Sequence, residues 1–156
     1  VERPLEERKV SHPFFTMLTV DTVLVEQAIE LLEKANAQLD PELLPAPLAR
    51  RLLAGYARAG KLAAYGVTAL SGKLDDASQL ARLTGSSLGH AQEVVSTSKA
   101  LSDSRELKDA LCRGEVSLEQ AAAIASAEGS SPGAATELLA VAREEPFHVL
   151  REKARR

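Results

Sequence analysis

Residues 76–101 read DASQLARLTGSSLGHAQEVVSTSKAL. Two stretches of helical spacing flank a tight Gly85-Ser86-Ser87 corner. Asp76, followed three residues on by Gln79, is a helix-start pair: the first side chain accepts a backbone N–H that the opening turn leaves unpaired. Gly85 supplies the backbone freedom for positive φ, and Ser87 offers a hydroxyl to cap the next helix. Ala81 is small enough for two helix axes to approach closely. Ala91 and Val94 are expected to point back into the pair, with Leu80 and Leu88 completing the inner face. The layout is that of a helix-turn-helix, which presents its second helix to the major groove of DNA. An ordinary helical hairpin is the competing reading.

The same punctuation continues on both sides. Asp103 with Glu106 and Ser117 with Gln120 predict further helix starts, and Gly114 and Gly129 predict left-handed helix ends. Ser131-Pro132 opens another helix, Pro146 closes it, and residues 147–156 form a short basic helix or a frayed end. About five short helices are thus expected after Asp76. Upstream, Val20, Val23, Leu24, Ala28, Leu31, Leu32 and Ala35 recur at helical spacing, with Asp21 as the expected cap. That helix stops near Gln38, ahead of Asp40-Pro41 and Pro45. Another opens at Pro47 and carries Leu48, Leu52, Leu53, Tyr56, Leu62, Val67 and Leu70. Gly55, Gly60 and Gly66 each weaken a helix interior by about 1 kcal/mol; they predict either a closely packed neighbour or a break near Gly60. Residues 71–75 read as a linker. The expected organisation is a poorly ordered lead-in at 1–18, an N-terminal helical layer or arm at 19–72, and a helix-turn-helix-like helical domain at 73–156. The fold class is all-α, a multi-helix bundle.

Composition agrees with that class. Apolar residues make up 45% of the 156, enough for a packed core, and the scarcity of aromatics (3%) leaves alanine and leucine to build it. The net charge of −3 argues against indiscriminate nucleic-acid binding, which needs a basic footprint. The lone Cys112 is expected to be a small apolar filler. The apolar runs are too short and too often charged to span a bilayer. The opening VERPLEERKV lacks the apolar stretch of a signal peptide, so a cytoplasmic protein is expected. Because the chain begins with Val1, an excerpt or a processed product is expected.

Six residues are candidates for DNA contact: Arg82, Ser87, His90, Gln92, Ser96 and Lys99. Gln92 can pair with an adenine edge and His90 with guanine or phosphate, while Arg82, Lys99 and Lys73 suit phosphates. Glu93 on the same face opposes phosphate binding. Arg151, Lys153, Arg155 and Arg156 either suit a helix C-terminus or form a phosphate-contacting tail. Catalytic chemistry is not expected in this chain. His12, His90 and His148 lack metal-ligand spacing, no phosphate-binding loop occurs, and Glu6-Glu7 and Glu144-Glu145 read as solvated charge. No cofactor, metal or small-molecule substrate is expected.

Three blocks, LARLTGSSLGHAQEVVSTSKAL (80–101), CRGEVSLEQAAAIASA (112–127) and ATELLAVARE (135–144), stand in an order that resembles an actinobacterial family. It is the domain-of-unknown-function family number two hundred and twenty-two, of the thirteen-E-twelve repeat type, which precedes HNH endonuclease modules. Gly85-Ser86-Ser87 and Gly114-Glu115-Val116-Ser117 also give a weaker likeness to the ParB-type helix-turn-helix region. The resemblance implies a helical module that binds double-stranded DNA, the N-terminal region of a larger HNH-nuclease-type or regulatory protein. This chain has no paired cysteines and no histidine–asparagine–histidine run, so nuclease chemistry of that kind would lie beyond Arg156. The alternative is a protein-interaction or oligomerisation domain without nucleic-acid contact, suggested by the acidic balance and the long apolar-faced helix from Val20 to Gln38. A homodimer fits either reading, since helix-turn-helix proteins commonly pair.

Overall fold

The computed structural model describes the backbone of residues 13–156 and the side chains of residues 22–156. Among the described residues there are eight α-helices and no strand. The all-α class is therefore correct. The chain divides into two compact units, residues 1–46 and 47–156.

The first unit holds α1 (Pro13–Gln38) and a 3-10 turn (Pro41–Leu43). The helix starts at Pro13, inside the expected lead-in, because proline is well suited to a first helical turn. Asp21 consequently lies within α1 rather than capping it. The rest of the lead-in, residues 1–12, lies outside the described residues, as does His12. Asp40 accepts the Glu42 N–H at 3.2 Å and, with Pro41 next, opens the 3-10 turn.

The second unit is built from α2 (Ala46–Leu74), α3 (Ala77–Thr84), α4 (Leu88–Leu101), α5 (Arg105–Cys112), α6 (Leu118–Ser130), α7 (Ala134–Glu144) and α8 (Phe147–Ala154). Helix α2 runs without a break through Gly55, Gly60 and Gly66, and a Cβ at any of the three would meet open space. Neither alternative drawn from those glycines holds. The close approach lies instead at Gly72, where a Cβ would stand 2.9 Å from Ser98 Cβ and nearer still to its hydroxyl. Small hydroxyl residues surround this crossing. Thr68 donates to the Ala64 carbonyl and Ser71 to the Thr68 carbonyl, each at 2.7 Å, so both bury without an unpaired oxygen. The expected linker shrinks to Asp75, whose φ of 51° ends α2.

Helix α6 is the centre of this unit, packed against α4, α5, α7 and α8. Its Ala121 and Ile124 are fully buried, and around them gather Leu107 and Leu111 of α5, Leu138 and Leu139 of α7, and Leu150 of α8. Ser117 and Gln120 form the complete reciprocal cap that the sequence predicts. Gln120 also donates through Nε2 to the Ala142 carbonyl at 3.0 Å, tying the start of α6 to α7. Glu115 pairs with Arg113 and Arg143, each at 2.8 Å.

Several local expectations are corrected. Ser104, not Asp103, caps α5 through the Leu107 N–H. Gly129 stays inside α6, and the left-handed residue is Gly133, with φ 94°. Helix α7 accordingly starts at Ala134 rather than at Ser131-Pro132. Its opening is held by Glu128, which accepts the Gly133 and Ala135 N–H groups at 2.7 Å each. Cys112 is exposed rather than a core filler, because Leu107, Ala110 and Leu111 already occupy the inward side of α5. His148 is likewise exposed.

Two measurements check this description. Gly72→Val should destabilise by about 1–3 kcal/mol through overpacking against Ser98, whereas Gly55→Ala and Gly60→Ala should each stabilise by about 0.5–1 kcal/mol; denaturant titration followed by circular dichroism reads all three. The hydrogen bonds from Gly133 and Ala135 hold the Glu128 carboxyl below its ordinary value. A carboxyl depressed in the folded state contributes stability above its unfolded value and loses it as pH falls through the folded one. Thermal stability should therefore drop as pH falls from about 4.5 downward, with a shallower slope in Glu128→Gln.

Candidate nucleic-acid interface

The corner between α3 and α4 forms as its residue types require. Asp76 accepts the Gln79 N–H at 3.0 Å and starts α3. Gly85 is left-handed, with φ 66°, and the Ser86 N–H closes back onto the Ala81 carbonyl at 3.1 Å. Thr84 and Ser86 share a 2.8 Å hydroxyl contact across the corner. Ser87 then accepts the His90 N–H at 3.2 Å and starts α4. The Gly114 corner before α6 repeats this closure, with φ 67° and the Glu115 N–H on the Ala110 carbonyl at 3.0 Å.

Helix α4 has one buried side. Ala91, Val94 and Val95 pack with Leu80 of α3 in a small core, to which Ala77, Ala81 and Leu118 of α6 add. Thr97 and Ser98 are buried further along, where α2 crosses. Leu88 is the exception to the expected inner face: it is 50% exposed at the corner. Val95, not singled out in the sequence, is buried in that core.

All six candidate residues, Arg82, Ser87, His90, Gln92, Ser96 and Lys99, are exposed. Gly89, Gln92, Glu93, Ser96 and Lys99 follow one another at helical spacing along the outer side of α4. Besides the Ser87 cap, two of the six lie beside a carboxylate. Lys99 Nζ lies 3.0 Å from Asp75 Oδ1, and His90 Nδ1 lies 3.8 Å from Glu93 Oε2. Between Lys73 and Lys99 the sequence holds three cations (Lys73, Arg82, Lys99) and three carboxylates (Asp75, Asp76, Glu93). The stretch from Lys73 to Lys99 therefore carries no net charge.

Tertiary packing adds cations that the linear reading left apart. A groove along Ala122, Ala123 and Ser126 of α6 is lined by Glu93 of α4, Glu119 of α6, Arg151 of α8 and Arg155 at the end of α8, so its two arginines share it with two carboxylates. The spacing of four that puts both arginines on one side of α8 is visible in the sequence. Their place beside α4 is not, since it depends on both helices docking on α6. Lys153 and Arg156 line a second groove with Ser130 and Ser131, and Arg156 pairs with Glu152 at 2.9 Å.

Among the described residues no group of three His, Cys, Asp or Glu side chains is placed to hold a metal ion, and no helix is long and apolar enough to cross a membrane. Comparison with family models, with curated proteins and with solved structures finds no match to this chain.

The corner generates its own test. Gly85→Ala should cost about 1–2 kcal/mol from its left-handed backbone, and Ser87→Ala about 1 kcal/mol from the lost cap, each read by chemical denaturation. A Gly89→Ala control, where a Cβ meets open space, should not destabilise.

Proposed function

We propose that residues 73–156 form a helical DNA-binding module whose α4 reads the major groove of double-stranded DNA. The observation that carries this reading is the division of α4 into a buried inner side and an exposed outer side bearing His90, Gln92 and Ser96. Gln92 matches the two hydrogen-bonding positions of an adenine edge, and His90 suits guanine or a phosphate. Arg82 on one flank, and Arg151 and Arg155 across the α6 groove on the other, position the duplex through phosphates. Lys99 joins them on release from Asp75. Specificity then comes from a few base contacts, and affinity from a small set of charges.

The three-block likeness described above supports placing this module ahead of an HNH-type nuclease or within a larger regulatory protein. In that setting the present chain binds and positions DNA, and cleavage belongs to residues beyond Arg156.

Fluorescence anisotropy with a labelled duplex at low salt tests the reading. Binding should weaken with rising salt with a log–log slope of about −3 to −4, as expected for three phosphate contacts, or four once Lys99 joins. Arg151→Ala with Arg155→Ala should flatten that slope, and Glu93→Gln should tighten binding. Gln92→Ala should reduce discrimination between duplex sequences more than total affinity. No binding at low salt to any duplex of a random-sequence pool overturns the proposal.

A further inference from the structure

From Ala46 to Leu74, helix α2 carries Arg50, Arg51, Arg58, Lys61 and Lys73 and no carboxylate, in a chain whose net charge is −3. At 3.6 residues per turn, Arg50, Arg51, Arg58 and Lys61 fall within about a third of the helix circumference. The large apolar residues of the same stretch, Leu48, Leu52, Leu53 and Tyr56, lie outside that arc. Further along, the same side of α2 carries Thr68 and Gly72 and packs into the unit, Gly72 against Ser98 of α4. The cationic strip thus prolongs a docking side, yet it stands in water: Arg50, Arg51 and Arg58 are exposed and Lys61 is half-buried.

Packing brings a further cation to the strip. The corner before α6 closes on α2, where a Cβ on Gly114 would stand 3.2 Å from Leu62 and 3.6 Å from the Arg58 carbonyl. The groove beside this contact is lined by Ala54, Ala57, Arg58, Lys61, Arg113 and Glu115 among others. Glu115 is the one carboxylate among the described residues that line it, and both its oxygens are taken, Oε1 by Arg113 and Oε2 by Arg143, each at 2.8 Å. Among the described residues of this unit no carboxylate pairs with Arg50, Arg51, Arg58 or Lys61.

The chemistry of the strip selects its ligand. A protein partner needs apolar or aromatic anchors at the centre of the contact, and a single-stranded nucleic acid needs rings on which its bases stack. No aromatic residue lines this groove, and Leu62 is already engaged by the Gly114 corner. A duplex backbone needs only cations set along a line. From Arg50 to Lys61 the strip runs about 16 Å, the rise of roughly five base pairs, and arginine forks match phosphate oxygens.

We infer that this strip of α2, with the Arg113 corner, is a second site for double-stranded DNA that holds the phosphate backbone without reading sequence. It shares none of the six candidates on α3 and α4. Because α2 crosses α4 on its buried side, at Ser98, the strip is not continuous with the outer side of α4, and it takes a duplex of its own. The inference extends the DNA-binding reading but does not depend on α4.

Calorimetric titration of the chain with a short duplex at low salt counts the sites. The wild-type chain should bind one duplex more than the variant Arg50→Gln, Arg51→Gln, Arg58→Gln, whose helix content by circular dichroism stays unchanged because all three side chains are exposed. The site so lost should bind all duplex sequences alike and weaken with salt with a log–log slope of about −4, from Arg50, Arg51, Arg58 and Lys61. Lysine at the same three positions should retain it. Equal numbers of duplexes on the wild type and the glutamine variant overturn the inference. So does a site that polyglutamate of equal charge fills as well as DNA, which marks an acidic protein as the occupant. Gln92→Ala with Arg151→Ala and Arg155→Ala separates the two readings: if this variant binds as many duplexes as the wild type while the glutamine variant binds one fewer, the α4 reading fails and the α2 site stands.

Discussion

Helix α6 can serve as the hub because its sequence, LEQAAAIASAEGS, is almost free of bulk. A helix that must touch four neighbours needs small side chains on most of its circumference, since large ones hold the axes apart. Ala121 and Ala127 provide that closeness, and Ile124 fills the space between the surrounding leucines. The Ser117–Gln120 cap fixes where the helix starts, and the bond from Gln120 to the Ala142 carbonyl fixes where α7 lies against it. An alanine-rich hub of this kind gains less from burial per residue than a leucine core, so the density of packing around it matters more. Polar straps at the rim, Glu115 between two arginines and Thr136 on Glu106 at 2.8 Å, hold neighbouring helices in register.

The site inherits its geometry from that hub. Helix α4 buries Ala91, Val94 and Val95 against α3 and against Leu118 at the start of α6, so its other side is left in solvent. Helix α8 docks on the same hub through Leu150 and brings Arg151 and Arg155 to the groove that Glu93 also lines. The charge on this surface is therefore composite. Cations and carboxylates cancel between Lys73 and Lys99, and the two arginines near the end of the chain share their groove with Glu93 and Glu119. Such a surface suits salt-sensitive, selective contact better than tight indiscriminate binding.

Local chemistry was largely legible. Asp76, Ser87 and Ser117 cap the helices they were expected to cap, and Gly85 and Gly114 take the left-handed conformation. The misreadings are also physical. Asp103 and Ser104 are both competent caps one residue apart, and only the register of Leu107 in the core selects the second. Gly129 sits in a helix because Glu128 and Gly133 build the turn, whose left-handed residue comes four residues later. The glycines of α2 misled because backbone freedom and close approach look alike in a sequence, and of those near the crossing only Gly72 lies against another helix.

The sequence by itself determined the helical class, the caps, the corner at Gly85 and the residue types on the outer side of α4. Those follow from interactions spanning at most five residues, whose partners the chain carries side by side. Tertiary structure alone decided that Gly72 meets Ser98, that Cys112 faces water, and that the arginines of α8 stand beside α4. Each depends on which helices share the limited surface of α6 and α4, and that competition is settled by packing between segments far apart in the chain.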